Sequence, residues 1–482
     1  MFYKILKTIS APSLGYVTLR YITYILQFLN AILLARCLGE YDFGVYSFMM
    51  LIISYMQYSN LGINDSLNTE YAINKSDKIK ATAIWDNAWS VNFLINIVLG
   101  IVCTVIFLCT DNLFTSYHFN EYRYALLGTC IIMNLSKVYT TYYRLNGKLV
   151  KINIQQILPN LTVFILLLIY WNGLSVSAIT TALLISNAIA LVIFRINLPE
   201  VPKFRINKEF FLLMKKGITL LLYNLSFYLL TVVASSLVSI FYSVEIFGNY
   251  SFANTLVNGV VMAGGAFMFI FYPKILNRLS MDTAVAIDLI RRIREVYIVF
   301  MDMISLVSIL FVIALTAILP QYGSAMVIMY SILILGRIIN NASTGYATLL
   351  IAQGKENHLV RYGFLSVLFV GVSGIFIHYG NLSVEYIAIS VSLASFFYTF
   401  LVVNKALCYI NGSRSFSFIF REIFGMNKWL ACLIIIFNGF LFRSYAVLIT
   451  CVFIYLIINV HNIKNSWRKG LLIITNKNAL SF

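Results

Sequence analysis

Arg20, Lys137 and Arg337 are cations set inside long apolar stretches, each with polar neighbours at helical spacing. The first stretch places Arg20, Tyr24, Gln27 and Ala31 on one helical face, with Thr23 and Asn30 beside them. Asn224, Tyr228, Thr231 and Ser235 repeat that spacing, and Tyr55, Tyr58, Asn60, Asn254 and Asn258 add polar groups in other stretches. A charge at mid-bilayer costs roughly 2.5–3.5 kcal/mol, so such groups face a cavity or reach the headgroups. Their expected chemistry is binding: a water-filled, weakly cationic cavity suited to an anion such as a phosphate or an acidic sugar. Arg20 and Lys137 lie about two turns from the ends of their stretches and fit snorkelling equally well. Arg337 lies deeper. Asp302 is the one acid expected well inside a span, and it is placed either to pair with Arg337 or to sit at the interface beside Arg294. A cation exporter usually needs more buried carboxylates than this.

The stretches that position these residues are membrane helices. The chain is 60% hydrophobic and only 11% charged, against about 25% charged in soluble domains. About 20 apolar residues cross a bilayer. Spans are expected near 14–35, 44–63, 88–109, 122–143, 153–171, 175–194, 217–242, 248–272, 297–319, 324–350, 363–379, 383–404, 429–442 and 444–463. The last pair is short, split by Arg443 and Ser444, so twelve to fourteen spans fit. With the N-terminus in the cytoplasm, the inner segments hold 29 of the 35 Lys and Arg. The outer segments hold only Arg36, Arg123 and Arg443. That is the positive-inside pattern, and it puts both termini in the cytoplasm.

The net charge of +17 is therefore read as orientation and contact with anionic membrane lipids, with no nucleic acid implied. The basic N-terminus runs into a full-length span and is read as a membrane helix, not a removable signal. The seven Cys and four His show no metal-ligand spacing. No phosphate-binding GxxxxGK[ST] motif is present, no outer loop is long enough for a catalytic domain, and no catalytic constellation stands out. The expectation is a transporter with no catalytic residues, no metal and no cofactor.

Two echoes organise the chain. Phe43-Gly44-Val45-Tyr46-Ser47-Phe48 recurs as Phe247-Gly248-Asn249-Tyr250-Ser251-Phe252, and Asn146-Gly147-Lys148 recurs as Gln353-Gly354-Lys355. Both fall at the same point of a six-span unit. An even number of spans gives halves of the same orientation, a parallel repeat about an axis along the membrane normal. The expected fold is all-α and polytopic. A six-helix bundle over 1–196 is followed by a basic linker over 197–216, and a second bundle spans 217–410. Residues 411–482 add a basic loop, two extra helices and a tail.

Ala35-Arg36-Cys37-Leu38-Gly39-Glu40-Tyr41-Asp42-Phe43-Gly44-Val45-Tyr46, followed by Leu61-Gly62-Ile63, resembles the N-terminal signature of the Wzx-type flippases. These transport O-antigen and capsule repeat units and belong to the multidrug/oligosaccharidyl-lipid/polysaccharide exporter superfamily. Within the signature, Arg36, Gly39, Gly44, Tyr46 and Gly62 are expected to be structural. The resemblance implies movement of an undecaprenyl-pyrophosphate-linked oligosaccharide to the outer leaflet of the bacterial inner membrane by alternating access. It also implies proton or sodium coupling, and a polysaccharide polymerase and chain-length regulator as partners. By position, Arg20, Lys137 and Arg337 would meet the diphosphate or acidic sugars, and Asp302 would serve ion coupling. Alternatives are a multidrug antiporter or peptidoglycan-precursor flippase of the same fold, or a polysaccharide polymerase or acyltransferase. The charge asymmetry makes a direct prediction. A periplasm-dependent phosphatase fused after Lys208 is expected to be inactive and one fused after Asn120 active; the reverse would invert the topology.

Overall fold

The computed structural model describes the backbone of residues 11–110, 113–170, 173–196, 198, 200–279, 283–411, 415–436 and 444–475. Side chains are described over these ranges except 11–17, 72, 149, 219–220, 222–224, 226–228, 230–231, 263–289, 291–293, 295, 356, 411, 426–427, 429 and 469–475. The described residues form helices and connecting turns with no strand. Nine of the helices are long and apolar enough to cross a membrane, by length and composition. The protein is an all-helical, multi-pass membrane protein.

The chain divides into two compact units, Ile9–Leu225 and one beginning at Ser226. The first holds α1 (Ala11–Met56), α2 (Ile63–Ile73), α3 (Lys78–Cys109), α4 (Phe119–Leu145), α5 (Leu149–Ile169) and α6 (Val176–Ile196). The division falls inside α7 (Lys208–Phe241). The second unit continues with α8 (Val244–Leu279), α9 (Thr283–Ile318), α10 (Gly323–Asn340), α11 (Tyr346–Ala352), α12 (Glu356–Tyr379) and α13 (Glu385–Asn411). It ends with α14 (Phe416–Ile423), α15 (Met426–Ile436) and α16 (Tyr445–Thr475).

The sequence echoes are structural repeats. In the turn at Asn146-Gly147-Lys148, the amides of the three residues donate to the carbonyls of Tyr142, Arg144 and Tyr143. The amides of Gln353, Gly354 and Lys355 donate to Leu349, Ile351 and Leu350, the equivalent carbonyls. At the outer end, Phe48 stacks on Tyr117 at 4.0 Å and its counterpart Phe252 packs on Tyr322 at 4.7 Å. Both tyrosines close a short 3-10 turn. Between α4 and α6 Gly128 meets Leu184, and between α10 and α13 Gly336 meets Ser392, too closely for a Cβ to fit without displacement. The duplication thus extends from turn geometry to core packing.

Two expected spans are broken. The second does not run through 44–63: α1 ends at Met56 and α2 begins at Ile63. The Asn60 side chain accepts the Gly62 amide at 3.0 Å, offering the backbone an alternative to the helical ladder. Asn134 on α4 donates to the Met56 carbonyl at 3.2 Å and to Ser59 Oγ at 3.1 Å, satisfying groups at the helix end that hydrocarbon would leave bare. The tenth span does not run through 324–350 either. It breaks after Asn340 into a 3-10 turn (Asn341–Ser343) before α11. The breaks fall in different spans of the two units, so the repeat has diverged at these points.

The linker at 197–216 is pinned to the first unit. Asp86, 2% exposed, accepts the Lys203 amide at 2.9 Å and pairs with Arg205 Nε at 3.3 Å. The Arg205 amide donates to Ser90 Oγ at 2.8 Å, and Lys216 pairs with Glu70.

Gly39 sits between the two limbs of α1 with φ 73°, ψ −174°, a conformation essentially confined to glycine. Gly62 has φ 71°, and a Cβ there would fall 2.1 Å from the Gly217 carbonyl oxygen. Gly39→Ala is therefore expected to cost backbone strain alone, of order 1–3 kcal/mol. Gly62→Ala adds a clash with main chain and is expected to lower the melting temperature in detergent well below that of Gly39→Ala; equal losses would contradict the close approach.

Candidate functional site: buried cations and their partners in each unit

In the first unit, Arg20 Nε donates to Tyr24 OH at 2.7 Å, with the guanidinium carbon 5.4 Å from the ring centroid. The stripe expected on one face is split. Thr23 and Asn30 are buried and used in packing, Thr23 donating to the Leu19 carbonyl and Asn30 to the Asn160 carbonyl, while Gln27 is exposed. Lys137 is half-buried, and its Nζ donates to Gln57 Oε1 at 3.0 Å. Gln57 is the first residue past α1, so Lys137 serves the break in the second span. The side chains of Asn224 and Tyr228 lie outside the described residues.

In the second unit, Arg337 stands in the last turn of α10, and its Nη2 donates to Asn258 Oδ1 at 3.3 Å. Tyr250, Asn254, Gly336, Arg337 and Ser395 line a small cleft between α8, α10 and α13, with room for about one water-sized molecule. Tyr250, Asn254 and Asn258 share a face of α8 at i, i+4 and i+8. The structure thus brings together Asn254, Asn258 and Arg337, and adds Tyr250 and Ser395 to them. Tyr250 is the repeat counterpart of Tyr46, so the echo already pointed to it.

Asp302 is not paired as either expectation had it. Its Oδ2 lies 3.6 Å from Lys428 Nζ, and both residues are 4% exposed. The sequence reading counts Lys428 as a loop cation, but it lies in the first turn of α15 and is drawn inside against α9. Two turns before Asp302, Arg294 holds the break after α10 together. Its Nη1 donates to the Ala342 carbonyl, and its Nη2 lies 3.2 Å from Glu422 Oε1 on α14. Tyr346 OH donates to the same Glu422 oxygen at 2.8 Å, and the Arg294 guanidinium carbon stands 4.6 Å from the Tyr346 ring centroid.

Among the signature residues, Gly39 makes the turn, Gly62 the break, and Gly44 is buried in α1. Tyr46 packs on Phe43 at 5.8 Å, and Arg36 is exposed.

Residues 13–275, more than half of the chain, match the profile of a family described as "polysaccharide biosynthesis protein". The chain belongs to that family. No curated protein matches it. Among solved structures it is similar to the lipid II flippase MurJ in an inward closed conformation. The TM-score is 0.68 at 12% identity, over 92% of this chain and 99% of that one. An inward-facing MATE-family multidrug resistance transporter of the MOP superfamily gives 0.64 at 14% identity, covering 80% of this chain and 94% of that one. A MOP-superfamily transporter from Pyrococcus furiosus gives 0.50 at 12% identity, covering 84% and 95%. At these identities the likeness is one of fold, and it places the family member in the transporter fold of MATE and MurJ.

Removing one partner of a buried ion pair leaves an uncompensated charge, at about 3–5 kcal/mol. Asp302→Asn is expected to lower thermal stability in detergent by an amount of that order, and Asp302→Asn/Lys428→Met to recover most of it. Additive losses would contradict the pairing.

Proposed function

We propose that the protein is a flippase for a lipid-linked glycan. It moves an undecaprenyl-pyrophosphate-linked oligosaccharide repeat unit of O-antigen or a similar surface polysaccharide from the inner to the outer leaflet of the bacterial cytoplasmic membrane. The observation that carries the reading is Arg337, a cation held within an apolar helical bundle by Asn258, in a cleft where Tyr250, Asn254 and Ser395 stand among apolar side chains. Membership of a polysaccharide biosynthesis family and the fold shared with a lipid flippase support it.

The physical problem is desolvation. Sugar hydroxyls and a diphosphate lose water on entering hydrocarbon and need replacement partners. Fixed donors such as Arg337, Asn254, Asn258, Arg20 and Lys137 supply them, while the polyprenyl tail stays in lipid. Arginine suits this role because its fork donates to two phosphate oxygens at once. Basic segments on the cytoplasmic side gather the anionic head group first. Alternating access then exposes the donors to each leaflet in turn, with proton or sodium movement driving the cycle and a polymerase and chain-length regulator acting on the product.

The test is complementation of a deletion strain. Arg337→Ala, at normal membrane levels, is expected to cut surface glycan roughly tenfold or more, a charged hydrogen bond being worth about 1.5–3 kcal/mol. The lipid-linked unit then accumulates on the inner leaflet, and Arg337→Lys keeps part of the activity. Units that reach the outer leaflet but stay unpolymerised would overturn the reading.

A further inference from the structure

Among the described residues, Asp302 Oδ1, Lys428 Nζ, Asn341 Nδ2 and Ser305 Oγ are all buried atoms with no hydrogen-bond partner within 3.5 Å. They form one cluster. Asp302 and Ser305 stand one turn apart on α9, Lys428 enters from α15, and Asn341 comes from the break after α10. An ion pair buried in a bundle is costly even when fully hydrogen-bonded. Here the carboxylate and the ammonium are separated by 3.6 Å and neither is saturated. A site kept under such tension has its two charge states closer in free energy than an exposed acid or a saturated pair would.

The groups facing Asp302 define what it can bind. From α9 come Arg294 and Tyr297, from α15 Lys428 and Cys432, and from α16 Tyr455. Glu422 on α14 is engaged by Arg294 and Tyr346. Lys428 is thus the cation at the Asp302 carboxylate, and Arg294, engaged by Glu422 and the Ala342 carbonyl, adds a second positive charge further back on α9. A sodium ion needs a cage of oxygens and is repelled by an ammonium 3.6 Å from the one carboxylate that the described residues place in the cluster. A proton needs neither: it adds to a single lone pair.

We propose that the Asp302–Lys428 pair is a proton-exchange site that excludes sodium, set at the joint where α15 and the break after α10 meet α9. One proton from water adds to Oδ1 of the Asp302 carboxylate, the oxygen that accepts no hydrogen bond within 3.5 Å. No other bond forms or breaks, and the net charge of the pair goes from zero to plus one. The neutral acid no longer attracts Lys428, so the hold of α15 on α9 weakens. Arg294 lies about 12 Å back along α9 at 1.5 Å per residue, and its partner Glu422, part-exposed on α14, is the side from which we take water to reach the cluster. The use of this site in a transport cycle rests on the flippase reading, but the binding of the proton does not need a cargo.

The experiment is infrared difference spectroscopy on the full-length purified protein in liposomes, titrated from neutral to acid pH without any glycan. A carboxylic-acid carbonyl band is expected in the wild type and is absent in Asp302→Asn. Asp302→Asn/Lys428→Met, in which no charge is left unpaired, lacks the band as well and serves where the single variant does not fold. In Lys428→Met the proton is held about tenfold more tightly or better, because the ammonium no longer opposes it. The wild-type titration is the same in sodium chloride and choline chloride. A band that persists in both Asp302 variants, or one displaced by sodium at constant pH, would overturn the proposal. Both results are independent of whether the protein flips a glycan.

Discussion

Hydrocarbon offers no hydrogen bonds, so every interruption of a membrane helix must be satisfied by the protein itself. Much of this structure answers that demand at two places. After Met56 the freed backbone is met by Asn134, and Lys137 reaches Gln57 beside it. After Asn340 it is met by Arg294, whose other contacts bring in Glu422 and Tyr346. The polar groups proposed to bind an anion are thus partly structural, standing where the backbone needs them.

The duplication shows which parts of the fold are shared and which have been released for function. The turns at Gly147 and Gly354 agree between the two units bond for bond, and the aromatic pairs at the outer ends join equivalent residues, stacked in one unit and tilted in the other. The helix breaks do not. The first unit interrupts its second span and the second unit its fourth, so Lys137 and Arg337 occupy non-equivalent positions on equivalent helices. The second unit also carries the added helices α14 to α16, and through Glu422 and Lys428 these supply two charges to the cluster around α9. The appended helices are integral to the charge balance of the second unit.

The positions of most helices, the two sequence echoes and the membrane class were legible in the sequence. Apolar stretch length and the sign of loop charges obey constraints that act on each segment alone. The clustering of Arg337 with Asn254 and Asn258 was legible in part, because the spacing along α8 is periodic. Its partner Tyr250 was hidden only by being treated as a repeat marker. The breaks were not legible: Asn60 reads as one of the cavity-facing polar groups, nothing in the sequence singles out Asn341, and what ends the helix is a partner far away in sequence, such as Asn134 or Arg294. Lys428 was unreadable for the same reason. A lysine at the edge of a basic loop looks solvated until a carboxylate on another helix is placed against it.

The central claim is movement of a lipid-linked sugar without its chemical change, and reconstitution tests it most directly. Purified protein in liposomes carrying an undecaprenyl-pyrophosphate oligosaccharide is exposed to a membrane-impermeant sugar-oxidising enzyme. The account predicts that label initially shielded on the inner leaflet becomes accessible at a rate set by the protein, with the lipid recovered otherwise intact, and that Arg337→Ala slows it. Sugar that stays shielded in the presence of folded protein, or that is recovered polymerised or acylated, would contradict it.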